Sequence, residues 1–95
     1  MATVLVSELG DGNFMVKVRD ARAETSHIVS VPAGWPAALG LQEASTGELV
    51  RASFAFLLDR EPATSVLPRF SLDVIPRYFP EYPHEIAGYV GHWST

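Results

Sequence analysis

A chain of 95 residues supports one hydrophobic core rather than two, and 47% apolar with 19% charged residues excludes the charge-rich, apolar-poor pattern of disorder. Seven Lys and Arg against eleven Asp and Glu leave a net charge of −4, and Lys17 is the one lysine, so no basic tract exists to displace counterions from nucleic acid. The lack of cysteine excludes disulfides, thiolate metal sites, iron–sulfur clusters and a cysteine nucleophile.

Met1 to Glu8 has no positive region and meets an acid before a long apolar core develops, so no signal peptide is expected. No apolar run approaches the roughly 20 residues that span a bilayer. A cytoplasmic protein with neither membrane nor nucleic acid as partner is the expectation.

Three segments in the first third alternate as half-buried strands do. Thr3 to Leu9 is followed by Gly10-Asp11-Gly12-Asn13, residues that accept positive φ and so suit a hairpin turn. In the second segment Phe14, Val16 and Val18 share one face and Met15, Lys17 and Arg19 the other. Asp20 to Ala23 turns the chain. Thr25 to Val31 then places His27, Val29 and Val31 on one face and Ser26, Ile28 and Ser30 on the other, ending at Pro32 and Gly34.

Residues 32–44 carry two prolines and two glycines around Trp35, which leaves room for one helical turn in a loop with an aromatic anchor. Ser45-Thr46-Gly47-Glu48 is a capping box and starts a helix running to Arg60, with Pro62 as its stop. Its apolar residues cover most of the circumference, leaving a polar strip near Glu48, Arg51, Ala55 and Asp59. Such a helix is covered on more than one side, either by the C-terminal segment or by a partner subunit.

Ser65-Val66-Leu67-Pro68-Arg69-Phe70 and Asp73-Val74-Ile75-Pro76-Arg77-Tyr78 echo one another eight residues apart, each reading as a helix start with Ser65 or Asp73 as cap. Pro80 and Pro83 bracket a bend. One or two helical turns from Pro83 to about Tyr89 follow, before Gly88 and Gly91 loosen the chain and the last residues fray.

The stretches Glu48 to Pro62 and Phe70 to Tyr82 resemble small uncharacterised bacterial proteins in which a short β-region precedes a similar "SFxFLLxREP" helix and a "YFPEY" bend. The resemblance implies one shared architecture and transfers no catalytic or binding residue.

Four groups of side chains invite a chemical reading. His84-Glu85 with His92 lacks the four-residue spacing of a zinc-protease helix, since eight residues separate the histidines by about 12 Å, and no metal site is assigned. His27 is either a general base or a histidine bonded at the sheet edge, with no acid or hydroxyl evident beside it in sequence. Arg51, Arg60, Arg69 and Arg77 either converge on an anionic ligand or pair with the neighbouring acids. The aromatics of the last third, Phe70, Tyr78, Phe79, Tyr82, Tyr89 and Trp93, either fill the core or form a contact patch.

No glycine-rich phosphate loop, Gly-x-Ser-x-Gly elbow or catalytic carboxylate pair is present, so no cofactor or catalytic residue is assigned. The sequence predicts a single α+β domain over residues 1–95: a three-stranded antiparallel β-meander, one main helix and short C-terminal helices. A non-enzymatic protein-interaction or structural module is the leading functional expectation. Its expected form is a homodimer, or a subunit that binds another protein, with residues 66–82 contributing to the seam and Phe70, Tyr78, Phe79 and Tyr82 as contacts; a domain whose arginines hold a small anion is the alternative.

Overall fold

In the computed structural model, which describes residues 2–93 and the side chains of residues 2–90, the alternating segments form β1 (Thr3–Gly10), β2 (Asn13–Arg19) and β3 (Glu24–Ser30). Phe14, Val16 and Val18 are buried on the inner face, and their registered partners Val29 and His27 lie beside them. The β1–β2 turn requires left-handed backbone at three successive residues, with φ of 97°, 55° and 78° at Gly10, Asp11 and Gly12. Gly12 is further constrained, because a Cβ there would stand 3.1 Å from the Val31 carbonyl oxygen. At the β2–β3 turn the Asp20 carboxylate accepts from the N–H groups of Arg22 and Ala23, which hold its carboxyl below the usual range. Arg19 and Glu24, opposite one another in register, form an ion pair at 2.7 Å.

The sheet has a fourth strand beyond the three-stranded antiparallel meander expected from sequence. β4 (Arg69–Ser71) lies parallel to β3, giving the mixed order β1-β2-β3-β4. The first half of the proline-centred echo is therefore extended chain rather than a helix start. Ala63–Ser65 is a single 3₁₀ turn, Val66 is buried in the core, and the Pro68 carbonyl accepts from the Ile28 N–H at 2.8 Å. The second half is helical, but Asp73 is not its cap. A 3₁₀ turn at Leu72–Val74 runs directly into the helix, with Pro76 in the first turn as expected.

Among the helices, α1 (Trp35–Ala38) is one turn, the most that the loop expected over residues 32–44 leaves room for, and its Trp35 ring lies nearly parallel to Tyr82, 8° apart with centroids at 6.5 Å. α2 (Thr46–Leu58) starts at the capping box: Glu48 N–H donates to Ser45 Oγ at 3.1 Å and Ser45 N–H donates to the Glu48 carboxylate at 3.3 Å. α3 (Ile75–Tyr78) is one turn, and a bend at Pro80-Glu81 leads into α4 (Tyr82–Trp93).

α4 is longer than predicted and passes straight through Gly88. Burying Tyr82, Ile86 and Val90 outweighs the roughly 1 kcal/mol that a helical glycine costs. α2 packs against both the sheet and α4. The buried apolar residues of α2 are thus covered within one chain, by the sheet on one side and the C-terminal segment on the other. Among the described residues no helix is long and apolar enough to cross a membrane.

Candidate functional site

The end of α2, the segment leading into β4, and α3 enclose an apolar groove of about 390 Å³. Leu57, Val66 and Ile75, all buried, form its floor. Phe70 and Phe79 close its sides, and Leu67 and Tyr78 stand at the rim with 48% and 68% of their surface exposed. Ser65 and Glu61 are its polar lining residues, and Glu61 is the charged one. Three of the four aromatics expected at a contact surface, Phe70, Tyr78 and Phe79, therefore meet here. Tyr82 does not, because its ring is 0% exposed and its hydroxyl is bonded to Ser53 at 2.8 Å in the core.

His27 holds one wall of the groove in place. Its Nδ1 lies 2.8 Å from the Leu67 carbonyl oxygen and its Nε2 lies 2.9 Å from Thr25 Oγ1. A carbonyl can only accept, so Nδ1 carries the proton, and in the neutral ring Nε2 accepts from the threonine hydroxyl. Thr25, two positions away on the same face of β3, supplies the hydroxyl beside His27 that is not evident from sequence neighbours, as the period of a strand dictates. The ring is buried, 5.3 Å from that of Phe54, with both nitrogens engaged. This is the geometry of a positioning group for residues 67–68 rather than of a base open to substrate.

The four arginines stand apart. Arg51 lines a hollow at the start of α2 with Glu8 and Glu48. Arg69 lies on the open face of the sheet, since its partner Ile28 is on the face opposite buried Val29, and Arg77 is exposed on α3. Arg60 follows the far end of α2, where Nε donates to Glu81 at 2.9 Å, Nη2 to Glu85 at 3.0 Å and Nη1 to the Phe56 carbonyl at 3.1 Å. The guanidinium also lies 3.7 Å from the centroid of the Phe56 ring. Burial alone lowers its pKa, but bonds to Glu81, Tyr89 and Glu85 outweigh that and raise it. In return Arg60 holds the Glu81 carboxyl below its ordinary range, and Tyr89, whose hydroxyl donates to Asp59 at 2.6 Å, is raised by that bond.

Among the described residues, no group of three or more His, Asp or Glu is placed to hold a metal ion. His84 is exposed on α4, while the side chains of His92 and Trp93, like residues 94–95, lie outside the described part. No protein-family model, curated protein or solved structure matches the chain.

Proposed function

We propose that this domain is a non-enzymatic protein-interaction module whose contact surface is the groove between α2, β4 and α3. The observation that carries this reading is the placement of Leu67 and Tyr78, both exposed, over an apolar floor of Leu57, Val66 and Ile75. Exposed large apolar groups that rim a concave apolar hollow are the features that receive a buried side-chain anchor from a partner. The lining carries one carboxylate, Glu61, and no arginine or lysine, so its chemistry suits a partner segment with a large apolar residue beside a basic one. It does not suit an anion.

A panel of synthetic peptides with a central Leu, Phe or Trp flanked by Lys or by Glu tests this by NMR titration of the labelled protein. Lys-flanked peptides are expected to shift amides of residues 57–79 selectively, and Glu61→Lys to reverse the preference toward Glu-flanked ones. No selective shift at about 1 mM peptide, or equal shifts in a folded Tyr78→Glu variant, overturns the reading.

A further inference from the structure

A second surface, at the opposite edge of the sheet from the groove, fits a second copy of this chain. β1 is an outer strand, so its outward backbone groups face no other strand among the described residues. Natural edge strands are blunted by brevity, proline, lysine or inward charge. β4 follows that rule, being three residues long, preceded by Pro68 and opened by Arg69. β1 does not: Thr3 to Ser7 contains no charge, no proline and no glycine, and its pairing with β2 stays regular up to Glu8, beyond which the register shifts. Val4 and Val6 on its inner face are only half-buried against the core, and Leu5 on its open face is 50% exposed.

From this we infer that two copies pair through β1, antiparallel, about a twofold axis through Leu5, joining the two sheets into one. The register follows from the sequence and the bulge. Antiparallel partners share a face, so a strand pairing with itself must place residues of the same parity opposite one another. Centring on Leu5 sets Leu5 against Leu5 and Thr3 against Ser7 on the open face, and Val4 against Val6 on the inner face. This uses only the regular part of the strand. Glu8 then meets Ala2 rather than its own copy, so no like charges face each other. Centring on Val6 would draw Leu9, at the register shift, into the ladder opposite Thr3, and centring on Val4 would shorten it. The pairing satisfies the outer backbone groups of β1 and completes the burial of Val4 and Val6. It leaves the groove of each copy free, because β1 and β4 are opposite edges.

The chain has no cysteine, so single-cysteine variants of the intact protein read the register directly. Across the axis the two Leu5 Cα atoms would stand about 4.5–5.5 Å apart, within disulfide reach, whereas the two Ser7 Cα atoms would be about 14 Å apart. The expected result is a dimer by light scattering. Leu5→Cys should oxidise to a covalent dimer, Ser7→Cys should not, and Leu5→Lys should give a folded monomer by setting two lysines face to face. Tyr78→Glu should remain dimeric, which keeps this test independent of the groove. A wild-type monomer at about 100 μM, equal oxidation of the two cysteine variants, or a dimer that survives Leu5→Lys overturns the pairing.

Discussion

Ser53 Oγ and Tyr82 Oη stand 2.8 Å apart in the core and join the middle of α2 to the first turn of α4. Losing either partner leaves a buried hydroxyl without its mate. Tyr82→Phe and Ser53→Ala are each expected to cost about 1 kcal/mol in denaturant melts, with the double variant costing less than the sum of the two. Burial raises the Tyr82 phenol above its ordinary value. A raised pKa means that the fold favours the neutral phenol, so stability is level below about pH 10 and falls as pH rises from there toward the folded value. Tyr82→Phe should remove part of that alkaline slope, to which Tyr89, whose phenol is also raised, contributes as well.

Arg60 and Glu81 provide the acidic counterpart. Because Arg60 depresses the Glu81 carboxyl, the pair stabilises the fold above about pH 4.3, and that stability is lost as pH falls through the lower, folded value. Thermal melts across this range should show a steeper acid decline for the native protein than for Glu81→Gln. Arg60→Ala, which also removes the contact over Phe56, is expected to cost about 1–2 kcal/mol at neutral pH. Arg60→Lys should recover only part, since an ammonium cannot span Glu81 and Glu85 as the planar fork does.

Phe54 and Leu57 face different parts of the core from the same helix. Phe54 meets His27 and Phe70 over the sheet, while Leu57 forms the floor of the groove. Phe54→Ala should cost about 3–5 kcal/mol and Leu57→Ala about 2–5 kcal/mol by chemical denaturation. A loss below about 1 kcal/mol at both positions would contradict the burial of this helix.

Replacing His27 by Leu keeps the bulk and removes both ring nitrogens. The Leu67 carbonyl then lacks its donor, at an expected cost of about 1–3 kcal/mol. Amide exchange gives a local reading of the same event. The Ile28 N–H, bonded to Pro68, should exchange faster in His27→Leu, while amides in α4 keep their protection relative to the global stability.

Much of this fold was written in short-range signals. The alternation of Phe14, Val16 and Val18, the Gly10-Asp11-Gly12 turn and the Ser45–Glu48 capping box each work between residues a few positions apart, so the sequence alone determined three strands and the start of α2. It also placed Phe70, Tyr78 and Phe79 in one segment, and these do meet at one groove. What covers α2 was left open between the C-terminal segment and a second subunit. Only tertiary structure decided that, by packing Tyr82, Ile86 and Val90 of α4 onto the helix and carrying α4 across Gly88 against its local propensity. The same holds for β4, whose three residues carry no periodicity and become a strand because β3, some forty positions earlier, offers the Ile28 N–H and the His27 ring to residues 67 and 68. Arg60 was equally ambiguous in sequence, where several acids lie near every arginine. The turn into α4 brings Glu81 and Glu85 to its guanidinium, and partners that distant are chosen by packing geometry, which residue spacing along the chain does not encode.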